Sequence, residues 1–472
     1  MDLVISLLRS IYEIVSFLVI CYVFFTFVFY LLLFLLSTIQ LRKLYGLEEK
    51  MPYQELLESQ FTSPVSILVP AYNEEVGIIP SIRSLLSVNY PAFEIIIIND
   101  GSKDRTLEKV IDVFRMKKIN KAIRKRIETE EINGVYISDI YPNLFLLDKQ
   151  NGGKADALNA GINLATYPFF CSLDGDSVLE RDAFLKVMKP IIDSDGGVIA
   201  SGGSIRIANG CLIERGEVIQ VGLPKNKLAI MQVIEYMRAF LMGRIALSRH
   251  NLLLIISGAF GVFHKETVIQ VGGYSRNTVG EDMELVVRLH KYVKDNKKKG
   301  SIIYVPDPVC WTEAPEDLAT LRKQRSRWHR GLIESLWTHK SMFLNPKYGR
   351  VGVVSLPYFV FIEMLGPIIE VLGYLSLLMG YFLGEVYVPF ALSLMLFSLL
   401  NGSFLSIGAV LLEEWSLRKY PRIMDITLLC FYALTETFWY RPLNTFWRLE
   451  GFWQFFSKQG TWGDMRRKGI SQ

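Results

Sequence analysis

The sequence predicts an α/β protein with an open, mixed, mostly parallel sheet, joined to transmembrane α-helices. Three observations carry this. Short apolar runs rich in β-branched residues alternate with helical patterns between Ser63 and Tyr348, as in a chain of βαβ units. Long uncharged runs flank that region on both sides, as membrane-crossing helices require. The chain of 472 residues is 50% hydrophobic and 12% aromatic, with a mean hydropathy of +0.26, yet 21% charged. That balance fits a polar domain tied to membrane segments. The expected organisation is an N-terminal anchor (1–44), a cytosolic domain (45–350), and a C-terminal transmembrane bundle with interfacial helices and a cytosolic tail (351–472).

Ile14 to Leu36 is 23 residues without a charge. At about 1.5 Å per residue it covers a hydrocarbon core of about 30 Å. It is too long for a signal-peptide core and no small-x-small site follows, so it reads as an uncleaved anchor. Arg42 and Lys43 place the next segment in the cytosol.

VSILVP, Val65 to Pro70, reads as a buried strand, followed by AYNEE and a helical pattern from Val76 to Ser87. FEIIIIND, Phe93 to Asp100, is a second strand, ending in a turn and a helix from near Asp104. The charged stretch from Arg115, RMKKINKAIRKRIETEEING, has a helical pattern and reads as a solvated insertion. Leu144 to Gln150 is a third strand, leading through NGGKADALNAGINLA into a helix. PFFCSLDGD is a fourth, ending in Asp174 and Asp176. Two like charges so close cost stability unless a cation lies between them, although Asp and Gly also make plain turns.

In open sheets, ligands sit at the carboxyl ends of the strands. Tyr72, Asn73 and Glu74 follow the first strand, Asp100 ends the second, Lys154 follows the third, and Asp174 and Asp176 end the fourth. One rim with these groups suits a nucleotide diphosphate. Tyr72 can stack on a base, Asp100 can accept from base or ribose, and Lys154 offers a point charge to phosphate. Asp174 and Asp176 suit Mg²⁺ or Mn²⁺, which take hard oxygen ligands. The sequence has no Walker A loop. A net charge of +5 without an aromatic-basic module argues against nucleic acid. The five cysteines are scattered and support neither a zinc site nor a disulfide framework. His264, His290 and His329 are too dispersed for a metal site.

Apolar character returns at Val353 to Gly384, which is interrupted by Pro367 and carries Glu363 and Glu370. It reads either as two passes or as a surface helix plus one pass. The two glutamates are seven apart and share a helical face. They either meet protein or a water-filled path, or Glu363 is solvated on an interfacial helix. Val388 to Leu412 has 25 uncharged residues, and Ile426 to Tyr440 is a shorter run containing Glu436. One N-terminal and three C-terminal spans would put the C-terminus outside, against its basic tail. As an alternative to those two readings of Val353 to Gly384, Tyr440 to Phe456, rich in Trp and Phe, folds back along the interface. The basic loop WSLRKYPR and the tail DMRRKGI read as cytosolic.

Taken together, VPAYNE, NDGS, GGKADALN, DGD, GED and QRSRW resemble the ordered motif series of processive family-2 glycosyltransferases. These are membrane enzymes of the cellulose, chitin, hyaluronan and poly-N-acetylglucosamine synthase type. The resemblance spans Ser63 to Trp328. It implies a GT-A-like fold and an inverting, metal-dependent hexosyltransferase in the cell membrane, multi-pass, with its catalytic domain in the cytosol. The donor would be a UDP-sugar, with UDP-N-acetylglucosamine and UDP-glucose favoured, and the acceptor a growing β-linked polysaccharide that is extruded. Tyr72, Glu74 and Asp100 would bind the uridine, Lys154 the diphosphate, and Asp174 nucleotide and metal, with Asp176 the main metal ligand. Asp282 would be the general base with Glu281 beside it. Gln324 and Trp328 would meet the acceptor, Arg327 the pyrophosphate, and Ser257 and Gly258 of SGAFGVF would lie in an acceptor loop.

Chemistry supports those roles. Negative charge grows on the leaving diphosphate, where a cation and Arg327 act most strongly. The acceptor hydroxyl loses a proton, which a positioned carboxylate can take. Plainer readings stand beside these. Glu281 and Asp282 could cap a helix, Trp328 could be a buried interface aromatic, and Arg325 and Arg330 could meet lipid phosphates. SGAFGVF could be a simple strand and turn. Two other functions keep the donor residues: transfer of one sugar to a lipid or glycolipid, and an inactive membrane sensor of sugar nucleotides or assembly partner. No regulatory domain is visible, which leaves secretion or regulation to separate subunits.

Overall fold

The computed structural model describes residues 2–48, 62–175, 177–214, 217–384, 388–417, 419–420 and 422–457. The chain opens with one continuous helix, α1 (Asp2–Glu48), which contains the predicted anchor. Then come β1 (Val65–Ala71), α2 (Ile78–Leu86), β2 (Phe93–Asp100), α3 (Thr106–Phe114), β3 (Met116–Ile119), β4 (Ile132–Ser138) and β5 (Leu144–Lys149). They are followed by α4 (Lys154–Leu164), β6 (Phe169–Leu173), β7 (Val178–Leu179), α5 (Ala183–Ile192) and β8 (Val198–Ile207). The antiparallel pair β9 (Leu212–Glu214) and β10 (Glu217–Gln220) precedes α6 (Lys227–Met237), a π-helical stretch (Arg238–Arg244) and α7 (Ile245–Arg249). The polar part closes with β11 (Phe260–His264), α8 (Lys265–Gln270), α9 (Glu281–Asp295), β12 (Ser301–Thr312) and α10 (Leu318–Thr338).

Ten of these strands form one sheet in the order β3-β4-β5-β2-β1-β6-β11-β8-β12-β7. β4, β7 and β11 oppose the direction of the other seven, so the sheet is mixed and mostly parallel. The four strands expected from the sequence are its parallel centre, β5-β2-β1-β6. β2 is buried at every position after Phe93. Helices on both faces remove the alternation a half-exposed strand would show. Registers Ala71↔Asn99 and Asn99↔Asp148 bring three carboxyl ends to one rim.

The segment from Arg115 departs from expectation, because it starts as an edge strand. Arg115 takes a left-handed conformation, φ 47°, that ends α3. β3 then pairs antiparallel with β4, burying Met116 and exposing Lys117 and Lys118. The run of charge hides this short strand, in which Met116 alone is buried. A short lysine-bearing edge also resists pairing with another chain.

The apolar C-terminal region resolves into one full helix after a broken one. Two π-helical stretches, Val351–Ser355 and Phe359–Met364, precede α11 (Gly366–Leu383). Pro367 lies in the first turn of α11, where a missing N–H costs little. α12 (Val388–Ser416) and α13 (Ile423–Phe456) follow. The expected fold-back at Tyr440 does not occur: α13 continues through Pro442 to Phe456 and packs along α10. Gly451 permits that packing, since a Cβ there would lie 2.7 Å from the Ser326 carbonyl oxygen. Among the described residues, two helices are long and apolar enough to cross a membrane, Ser6–Leu44 and Gly366–Leu383. The first is also fastened to the sheet domain. Leu33 and Leu41 share the hydrophobic cluster of β1 and β2, and Ser37 Oγ donates to the Met242 carbonyl at 2.6 Å.

Candidate active site

The rim is laced before any ligand is considered. At the end of β1, Tyr72 is 40% exposed and Asn73 turns left-handed, accepting from the Lys103 N–H at 2.8 Å. The Glu74 N–H donates to Thr106 Oγ1 at 2.9 Å. Asp100, expected to face a nucleotide, is instead buried. Its carboxylate accepts from Lys149 Nζ at 2.6 Å, Gly152 N at 3.0 Å, Gly153 N at 2.8 Å and Asn151 Nδ2 at 3.2 Å. With both oxygens occupied, Asp100 holds the loop that presents Lys154. Gly101 lets that loop approach, with φ +66° and no room for a Cβ, which would sit 2.7 Å from Asn151 N.

Lys149 escaped sequence reasoning. It is fully buried, bridging Asp100 and Asp156 at 2.6 Å each, and Arg276 reaches Asp156 at 3.1 Å. The available signal was a lysine ending an apolar strand.

Lys154 joins the strand ends. Its Nζ lies 2.5 Å from the Asp174 carboxylate and 3.9 Å from Glu281, and it donates to the Gly258 carbonyl at 3.3 Å. Burial works to lower its pKa, but Asp174, Glu281 and Asp282 together raise it above the usual lysine value. Asp174 is partly exposed at the edge of this cluster. Asp176 lies outside the described residues. A hard-oxygen turn at the end of β6 suits Mg²⁺ or Mn²⁺, and Asp174 presents its carboxylate to the same cavity as Lys154.

The first turn of α9 supplies the acids. Asp282 Oδ2 accepts from the Gly258 N–H at 3.0 Å and Oδ1 from the Met283 N–H at 2.8 Å, which aims the carboxylate. The helix N-terminus favours its negative charge. The cap position itself is Gly280, without a side-chain hydrogen bond. Glu281 is buried, and burial raises its pKa to about 7, with Lys154 opposing and Asp282 adding to the rise. Ser257 and Gly258, just before β11, line the cavity, with Gly258 between Asp282 and Lys154.

α10 carries Gln324, Arg327 and Trp328 at helical spacings of three and four, and all three line the cavity. Gln324 Oε1 is buried without a hydrogen-bond partner. Trp328 is 43% exposed, with the Arg325 guanidinium 4.4 Å from its ring centroid. Arg325 is buried and paired with Glu235 at 2.7 Å, and Arg330 pairs with Glu334 at 2.7 Å. Neither is a spare cation for lipid phosphate. Gly331 brings α10 against the start of α9: a Cβ there would lie 2.8 Å from Gly280 Cα.

These groups surround one cavity of about 560 Å³. It runs from Lys154 and Asp174, past Asp282 and Trp328, to Phe359 and Glu363 on the apolar side. Tyr72, Glu74 and Asp100 do not line it. Glu363 is not merely solvated. It accepts from Tyr30 at 3.1 Å and Tyr358 at 2.7 Å, with Arg448 at 3.6 Å. Glu370 accepts from Thr445 at 3.0 Å and faces Arg441 at 3.2 Å.

Comparison with known proteins adds a family. Residues 66–253 match the model described as glycosyl transferase family 2, and residues 170–405 that of glycosyl transferase family group 2. A poly-beta-1,6-N-acetyl-D-glucosamine synthase of Staphylococcus epidermidis is 28% identical over 362 residues, 74% of this chain and 74% of the relative. One of Staphylococcus aureus (strain COL) is 31% identical over 274 residues, 58% of this chain and 55% of the relative. Among solved structures, the mannosyltransferase PcManGT of Pyrobaculum calidifontis, in complex with GDP-Man and Mn²⁺, aligns with a TM-score of 0.49. It is 16% identical, covering 87% of this chain and 99% of that one.

Proposed function

The chain belongs to the family-2 glycosyltransferases, and from that premise we propose that it builds a β-linked polysaccharide from a UDP-sugar, UDP-N-acetylglucosamine first. The single observation behind this is the cavity in which Lys154, Asp174, Asp282, Gln324, Arg327 and Trp328 meet. The relatives named as poly-N-acetylglucosamine synthases support the choice of sugar.

In this reading the GT-A-like rim takes the donor, with Tyr72 and Glu74 toward the uridine and Asp100 shaping the loop beneath. The acceptor hydroxyl, held near Trp328 and Gln324, attacks the anomeric carbon from the face opposite the diphosphate. Asp282 takes the hydroxyl proton as the new C–O bond forms. The bond to UDP breaks with its electron pair on the phosphate oxygen, where Lys154 and Arg327 meet the growing charge. One displacement inverts the anomeric centre. A divalent cation, Mg²⁺ or Mn²⁺, would be held by Asp174 and Asp176 and would supply further positive charge to the diphosphate. Burial pushes the Glu281 carboxyl toward its neutral form, which lessens the negative charge beside Asp282.

The far end of the cavity, at Phe359 and Glu363, is a path for the product toward α1 and the C-terminal helices. That supports a multi-pass enzyme of the cell membrane that extrudes its polymer. The test uses the full chain in lipid nanodiscs with Mn²⁺ or Mg²⁺ and each radiolabelled UDP-sugar in turn, products being separated by size. A large product from UDP-N-acetylglucosamine, lost on chelation with EDTA and in Asp176→Asn, is the expected result. A short product that requires added lipid would establish single transfer instead, and no transfer from any donor would remove the reading.

A further inference from the structure

The cavity contains a cation that the transfer scheme leaves unused. Arg244 closes the π-helical stretch Arg238–Arg244 and lines the cavity. Short π-helical segments are enriched at functional sites. The Arg244 Cζ lies 4.0 Å from the centroid of the Phe240 ring, four residues earlier. That stack fixes the plane of the guanidinium and leaves its in-plane N–H groups to find acceptors. Nη1 is buried and has no hydrogen-bond partner.

Other enclosed arginines, two of which also carry buried N–H groups without an acceptor, each have an ion pair. Arg206 pairs with Glu413 at 2.5 Å, Arg325 with Glu235 at 2.7 Å, and Arg238 with Glu436 at 2.9 Å. Among the described residues Arg244 forms no ion pair. Leaving a buried guanidinium N–H without an acceptor is costly, and the cost is met if a ligand supplies one. The ligand end can be chosen. In the scheme above Lys154 and Arg327 serve the phosphate groups, whereas Arg244 lines the cavity with Asp282 and Trp328, which serve the acceptor. Tyr236 and Phe240 add aromatic walls beside it, a surface suited to a sugar ring.

We propose that Arg244 anchors the acceptor sugar, donating from its in-plane N–H groups to a hydroxyl or acetamido oxygen of the terminal residue beside Asp282. This rests on the reading of Asp282 as the base that deprotonates that sugar. It makes Arg244 a specificity-determining residue for the acceptor with no part in donor binding.

The test compares wild type, Arg244→Ala and Arg244→Lys as full chains in nanodiscs. The donor is UDP-N-acetylglucosamine and the acceptor a short β-linked N-acetylglucosamine oligosaccharide. KM for each and donor hydrolysis without acceptor are measured. A charge-assisted hydrogen bond predicts an acceptor KM raised about tenfold or more in the alanine variant. Donor KM and hydrolysis should stay within about twofold, and lysine should restore part of the acceptor affinity. A matching rise in donor KM would overturn the proposal. So would an unchanged acceptor KM with a shifted acid limb of the pH–rate profile, since Arg244 would then act on Asp282. If the alanine variant fails to fold, the lysine variant decides: its acceptor KM must rise while its donor KM holds. A wild type inert toward every UDP-sugar would instead remove the transferase reading itself.

Discussion

Asp282 owes its aim to two backbone N–H groups, those of Gly258 and Met283. Asparagine at this position keeps the size and the acceptor oxygen but cannot take a proton. Asp282→Asn should therefore lower transfer by about 10²–10⁴-fold and leave thermal unfolding near wild type. A variant that retains full turnover would remove Asp282 from the chemistry. Glu281 makes a different prediction, about stability. Its folded pKa of about 7 lies above the ordinary value of 4.5. Below pH 4.5 both folded and unfolded chains hold the proton. As pH rises toward 7 the unfolded chain ionises first, so this group removes stability, fully so above 7. Glu281→Gln cannot ionise and should melt above wild type at pH 8, the difference shrinking toward pH 5. His290 acts with the opposite sign: burial holds it at about 4, so its stability is lost as pH falls below the usual 6.5. Lys154 and Asp174 were legible from their places at strand ends, whereas Gln324, Arg327 and Trp328 were legible only through the family resemblance of QRSRW. The burial of Asp100 was not, because Lys149, the partner that fills its oxygen, lies 49 residues away in sequence.

At the scale of elements, α9 and α10 meet through a pair of glycines. A Cβ on Gly331 would lie 2.8 Å from Gly280 Cα and 2.9 Å from Gly280 N. Carbon atoms prefer about 3.5–4.0 Å, so Gly331→Ala must part α10 from the start of α9. That separates Trp328 and Arg327 from Asp282. Alanine favours a helix over glycine by about 1 kcal/mol, which offsets part of the strain. The expected result is a small change in melting temperature with kcat lowered by about 10² or so, since about 1 Å of misplacement costs that much. A variant with normal kcat would show that the helices need no fixed spacing. A sequence shows such glycines but not what faces them. The same holds for β3, which is four residues long and buries Met116 alone, too little to stand out against the charges around it. The parallel centre was legible because β1, β2, β5 and β6 are unbroken apolar runs, each ending in polar residues.

Across the whole molecule, α1 is more than a tether. Its Leu33 and Leu41 are buried in the cluster of the central strands, and Ser37 is bonded to Met242 at the end of the π-helical stretch that carries Arg244. Phe240, Leu241 and Ile245 lie in the same cluster. Burying one leucine contributes about 1.5–3 kcal/mol, against about 5–15 kcal/mol for a whole fold. Removing α1 thus takes away a sizeable share of net stability and uncovers an apolar surface beside the catalytic cavity. A fragment of residues 62–350, the polar part alone, should aggregate in plain buffer and become monodisperse only with detergent. Size-exclusion chromatography with light scattering would read this directly. Its residual fold should also loosen around Met242, seen as faster amide exchange in the π-helical stretch than in β1 and β2. A fragment that stays monomeric without detergent, with that stretch still protected, would mean the sheet domain holds its cavity unaided. In that case α1 contributes nothing that the fold of residues 62–350 needs.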